Sequence, residues 1–207
     1  MSDEFLPFGS GYYWLLLAVL VFSRGMDVLS TWVATPNLVL EGNPIAKKLG
    51  WRWGLPVNFG FCLLLAFWPL PAIVISTTSL LVAARNFQSA WLMRSLGEQA
   101  YRDWHVTRIQ ETRITLYLWC LAGNTVLTAA VGGLVMWFNR TALIPFAIGA
   151  GIVAYAAAVA FYTLLALWRM RRASIVGERL RARKLIQSTP PAGSFASLYA
   201  REDAPGK

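Results

Sequence analysis

The chain has 207 residues, of which 57% are hydrophobic and 14% charged, with a net charge of +9 and a mean hydropathy of +0.49. Soluble domains hold roughly 45–50% apolar and about 25% charged residues, so the composition excludes a disordered chain and argues against a soluble globular one. Two cysteines, both within apolar runs, exclude a disulfide scaffold and give no zinc spacing, and a single histidine excludes His-pair acid/base chemistry.

The opening Met1-Ser2-Asp3-Glu4 lacks a basic n-region and is not read as a cleavable signal peptide. A spanning helix needs about 20 mostly apolar residues. Tyr12–Ala34 has that length but carries Arg24 and Asp27. The uncharged run Leu55–Ala84 is too long for one span and too short for two, and Pro69-Leu70-Pro71 favours a break. Splitting there predicts spans at 51–69 and 72–93. Two further spans, 114–138 and 141–168, contain no charge. The fold class expected is all-α: a polytopic integral membrane helical bundle of five transmembrane helices.

Five spans place 16 Lys and Arg on one side and Arg140 alone on the other. The positive-inside rule then puts the N-terminus outside and the C-terminus in the cytoplasm. Most of the ten tryptophans fall at predicted span ends, as interfacial anchors do. The linker 94–113 is expected to be a cytoplasmic helical hairpin, with Glu98 and Arg102 spaced for an i,i+4 ion pair. His105 on this linker is read as a surface histidine. The segment 169–187 is basic, with Arg169, Arg171, Arg172, Arg179, Arg181, Arg183 and Lys184 against Glu178 alone. A basic juxtamembrane helix of this kind contacts anionic lipid headgroups. Because the charge follows topology, no nucleic-acid partner is expected. Residues 188–207 read as a disordered tail.

Small residues four apart in the last span (Ala147/Gly151, Ala150/Ala154, Ala154/Ala158) favour close helix packing, within the bundle or in a homo-oligomer. An ionisable residue inside a span is a functional-site hypothesis by default. Asp27, Asn58 and Arg85 all fall roughly 11 Å inside the predicted cytoplasmic boundary, at about 1.5 Å per residue. Asn124, Tyr162 and Thr163 lie near that level. Arg24, Asp27 and Thr31 share one face of the first span. Asp27 has two candidate partners, Arg85 across helices or Arg24 locally. Such a layer serves either as a structural register device or as a ligand site.

Between the first two spans, Leu38-Val39-Leu40 is flanked by turn formers, and a dip of this triplet brings Glu41 and Asn43 over the polar layer. Asp27, Glu41 and nearby amides would suit a hard cation such as Mg²⁺ or Ca²⁺. No motif for nucleotide, flavin, haem or zinc is present. Asp27-x-x-Ser30-Thr31 followed by Glu41-x-Asn43-Pro44 resembles a signature of small prokaryotic membrane proteins grouped as a domain of unknown function. The resemblance covers about the first third of the chain. It implies that Asp27, Thr31, Glu41, Asn43 and Pro44 belong together, and that the protein resides in a bacterial or archaeal cytoplasmic membrane.

Three functions follow as expectations. The first is binding or transport of a polar solute, ion or lipid headgroup in the cytoplasmic leaflet. The second is an accessory role in a larger membrane complex. The alternative is a membrane-embedded hydrolase or transferase acting on a lipid through Asp27 and Glu41. The absence of any recognisable catalytic motif tilts the reading away from an enzyme.

Overall fold

The structure, a computed structural model, describes residues 5–41 and 43–188, with side chains as far as Arg172. All regular structure among the described residues is helical: α1 (Gly11–Ala34), α2 (Pro44–Leu65), α3 (Pro69–Leu96), α4 (Glu98–Glu111), α5 (Ile114–Phe138) and α6 (Leu143–Ser188). Four are long and apolar enough to cross a membrane: α1, α3, α5 and the Leu143–Arg172 stretch of α6. Their outer faces present large apolar side chains, including Phe22, Trp119 and Phe138 at 62%, 78% and 79% exposure. Faces of this composition are suited to lipid rather than water.

The centre of the fold is the contact between α1 and α3. Tyr13, Leu16, Leu20, Ser23 and Ser30 are buried on α1, and Ala72, Ser76, Ser79, Ala83 and Ala90 on α3. Both sets advance by alternating steps of three and four residues, the spacing of a left-handed helix pair. Serine and alanine on the α3 side let the backbones approach closely, as small residues do where lipid removes the hydrophobic drive. Asp27 and Asn86 occupy the seam positions left open in these two series.

The proline-rich break falls one step earlier than the sequence predicts. Helix α2 ends at Leu65 and α3 begins at Pro69, which sits in the first turn where its missing N–H costs nothing. The predicted span 51–69 is thus the helical stretch after a kink at Gly50, whose φ of 62° favours glycine. Helix α2 runs antiparallel to α1 and matches it end for end. The Leu6 N–H donates to the Phe67 carbonyl at 2.9 Å at one end, and the Trp51 indole donates to the Pro36 carbonyl at 2.8 Å at the other. Phe67 also stacks on Phe5 and packs against Tyr13, each with ring centroids 4.9 Å apart.

The predicted hairpin at 94–113 is instead one separate helix, α4, set off by Gly97 at a φ of 81°. Residues as far as Leu165 form one packed unit. Within it, α5 and α6 touch where Gly132 faces Gly149, and α6 meets α3 where Gly151 faces Val74 and Thr77. The Thr78 hydroxyl donates to the Val74 and Gly151 carbonyls at 2.8 and 3.0 Å. Ala147 is fully buried, so the small-residue stripe of the last span packs inside the bundle at this level. Residues from Ala166 form a second unit, helical to Ser188. Arg169, Arg171 and Arg172 are exposed there, with Arg172 over the Trp168 ring at 5.4 Å. The side chains of Arg179, Arg181, Arg183 and Lys184, and residues 189–207, lie outside the described residues.

Candidate functional site

Arg24 is the hub of the polar layer. It stands on the face of α1 that looks toward α2, one turn before Asp27, and its guanidinium joins three helices. Nη1 donates to Asp27 Oδ2 at 3.0 Å and to Ser79 Oγ of α3 at 3.2 Å. Nε donates to Asn58 Oδ1 of α2 at 3.0 Å, and Nη2 donates to the same oxygen. The Asn58 amide in turn donates to the Gly54 carbonyl at 2.8 Å, which fixes which of its ends faces Arg24. Charge and partners arrive together, which is how a guanidinium persists in a span.

Of the two partners weighed for Asp27, the local one forms. Arg85 is exposed on α3, turned away from the seam by its position one residue before Asn86. Asn86 takes the inward place instead, donating to the hydroxyls of Ser30 and Thr31 at 3.3 Å each. Ser30 donates to the Asp27 carbonyl at 2.8 Å. Arg24, Asp27, Thr31 and Asn58 therefore do share one layer, completed by Ser30, Ser79 and Asn86. Neither Asn124 nor Tyr162 adds to this layer, since both are exposed on their helices.

Glu41 stands in the loop between α1 and α2. Its Oε1 accepts the Asn43 N–H at 2.7 Å, and Asn43 Oδ1 accepts the Ile45 N–H at 2.9 Å. Asn43 is the N-cap of α2 and Pro44 opens its first turn. The Glu41-x-Asn43-Pro44 pattern is thus a helix-starting device. The two carboxylates considered for a hard cation each commit one oxygen elsewhere, Asp27 to Arg24 and Glu41 to Asn43. Among the described residues no group of three or more His, Cys, Asp or Glu side chains converges.

Glu98 has a role that its spacing from Arg102 conceals. Its carboxylate accepts from the Thr35 hydroxyl at 2.7 Å, the Asn37 N–H and side-chain amide at 3.0 Å each, and the Val39 N–H at 3.1 Å. Thr35 Oγ1 also accepts the Leu40 N–H at 3.2 Å. The loop after α1 is therefore clamped to the start of α4, with Leu38 held at a φ of 55° that a leucine adopts only under such constraint. Partial burial of Glu98 raises its pKa, but the four hydrogen bonds outweigh this and hold it below its ordinary 4.5. Elsewhere on α4, His105 stacks on Tyr101 at 5.9 Å, and burial lowers its pKa below the ordinary value.

Between α1 and α2 lies a cleft of about 660 Å³, within the range of roughly 300–1,000 Å³ typical of small-molecule sites. Its walls are apolar apart from Arg24 and Asn58, with Cys62 buried at one end and Trp32, Pro36 and Trp51 at the other. No sequence signal reveals this cleft, because its α1 and α2 walls are brought together by tertiary packing and not by any local pattern. Gly25, which carries no side chain, adds to the room, with nothing within 4 Å of where a Cβ would stand. No family model matches the chain, and neither curated proteins nor solved structures provide a relative for it.

Proposed function

We propose that this chain is a five-span membrane protein, N-terminus outside and C-terminus in the cytoplasm, that binds a membrane-derived molecule in the α1–α2 cleft. The carrying observation is the cleft itself, an apolar cavity into which the polar layer shows a guanidinium and a carboxamide. Apolar walls with a few placed polar groups are the usual make-up of a ligand site. In this reading Asp27, Ser79 and Asn58 hold Arg24 at the cleft wall, and the Glu98 clamp fixes the loop that closes the end lined by Trp32 and Trp51. The role is that of a binding or accessory subunit in a bacterial or archaeal cytoplasmic membrane. Arg169, Arg171 and Arg172 lead a basic segment that meets anionic lipids of the inner leaflet.

The enzymatic alternative, a lipid hydrolase or transferase using Asp27 and Glu41, has less in its favour. Asp27 is neutralised by Arg24, and Glu41 serves the start of α2. Native mass spectrometry of the full-length protein in mild detergent tests the binding reading. The wild type is expected to retain a bound membrane-derived species that Asn58→Leu loses. Identical spectra from the two would remove the cleft as a binding site.

A further inference from the structure

We infer that the occupant of the cleft is an uncharged lipid carbonyl compound, whose carbonyl oxygen meets Arg24 and whose hydrocarbon chain lies between α1 and α2. The inference rests on the binding reading above and narrows it by counting donors and acceptors. A guanidinium has five N–H groups and no acceptor. Four are used, on Asp27, Ser79 and twice on Asn58, which leaves one on Nη2. The Asn58 amide spends one N–H on Gly54 and keeps a second, while its oxygen already accepts two bonds. The indole N–H of Trp51 is taken by Pro36. The polar side chains of the cleft thus offer spare donors and no spare acceptor, and their ligand must bring an acceptor.

Charge decides which acceptor. Asp27 already neutralises Arg24 at 3.0 Å, so an anion would arrive at a pair with no net charge. Arg24 also stands ten residues before the end of α1, roughly 15 Å deep at about 1.5 Å per residue. Bringing a second negative charge to that depth is costly, whereas a neutral carbonyl satisfies the donor without that cost. The remaining walls, including Val28, Leu55 and Phe59, are hydrocarbon or aromatic and accept a chain or a ring. Two sources supply this chemistry in a membrane: the ester of a glycerolipid and the ring carbonyl of a prenylated quinone.

The test measures thermal stabilisation of the full-length protein in detergent by three probes: a decyl-substituted 1,4-benzoquinone, dioleoylglycerol and decylbenzene. Decylbenzene has the chain and ring but no acceptor. The inference expects at least one carbonyl probe to bind about tenfold or more tightly than decylbenzene, as loss of one hydrogen bond to a buried charged donor implies. Preference for the benzoquinone or for the diacylglycerol identifies the source. Gly25→Leu puts a side chain into the cleft from a position where a Cβ meets nothing within 4 Å, and should fold normally yet lose binding. Equal binding of all three probes, abolished by Gly25→Leu, would overturn the carbonyl assignment and leave the cleft a binding site. Binding unchanged by Gly25→Leu, or no binding of any probe, would overturn both.

Discussion

Removing either member of the Arg24–Asp27 pair has unequal consequences. Arg24 keeps Asn58 and Ser79 when Asp27 is replaced, whereas Asp27 has no second cation among the described residues. Arg24→Gln should therefore cost about 3–5 kcal/mol, the range for a buried charge left alone, and Asp27→Asn only about 1–3 kcal/mol. The double variant should recover most of the larger loss, while adding Arg85→Gln to Asp27→Asn should recover none, as thermal unfolding in detergent will show. Glu98 makes a second prediction, through pH. Its folded pKa lies below the ordinary 4.5, so the clamp contributes fully above that value and is lost as pH falls through the lower, folded one. Amide exchange at Asn37 and Val39 should stay slow from pH 7 down to 5 and accelerate only below 4.5. Glu98→Gln should abolish that acid step and weaken the clamp at neutral pH by about 1–2 kcal/mol, since the carboxylate is partly solvated.

At the scale of the helix, packing rather than propensity decides which glycines matter. A Cβ on Gly151 would stand 2.6 Å from Thr77 Cβ and 2.9 Å from the Val74 carbonyl, and one on Gly149 would stand 2.6 Å from the Gly132 carbonyl. Gly151→Leu and Gly149→Leu should each destabilise the bundle by about 1–3 kcal/mol or more through overpacking. Gly133→Leu, one residue from a contact but facing open space, should be neutral or mildly stabilising. Unfolding midpoints of the three variants separate the cases. The apolar helices were largely legible in the sequence, because apolar length and proline position are local properties: α5 begins and ends where its charge-free run does, and the Pro69–Pro71 break was placed, although Pro69 opens α3 and does not close the helix before it. The partners within the polar layer were not. Charge draws attention to Arg85, yet a rotation of about 100° per residue turns Asn86 inward in its place. The alternating series Ala72, Ser76, Ser79, Ala83 in α3 was the available signal for that register. Glu98 was hidden because its partners lie 59 to 63 residues away, across a loop whose path no local pattern dictates.

At the scale of the whole chain, the helix order and the cations support one topology, and both can be tested by truncation and by fusion. Arg169 onward belongs to a unit separate from the packed bundle, so a chain ending at Arg172 should insert and stay monodisperse in detergent, and should lose affinity for vesicles rich in anionic lipid. Gel filtration and vesicle sedimentation read the two outcomes. The span count depends on α2. Its part after the Gly50 kink, residues 51–65, is roughly 22 Å long at about 1.5 Å per residue, less than the roughly 30 Å of a hydrocarbon core. Length alone would leave it a partial insertion beside four full spans. Its ends argue otherwise, since Trp51 reaches Pro36 at one end of α1 and Phe67 meets Leu6 at the other. In the five-span reading proposed above, a helix joined at both ends to a spanning neighbour would cross with it, the membrane thinning or the flanking turns making up the difference. Lys47, Lys48 and Arg52 then lie on the side of Arg94 and of α4, whereas a four-span arrangement would separate them. Reporter fusions after Lys48, Pro71, Trp104, Arg140 and Lys207 should report inside, outside, inside, outside and inside. Lys48 and Trp104 on opposite faces would show that α2 turns back within the membrane, and would leave the cleft beside it facing the aqueous side instead of lipid.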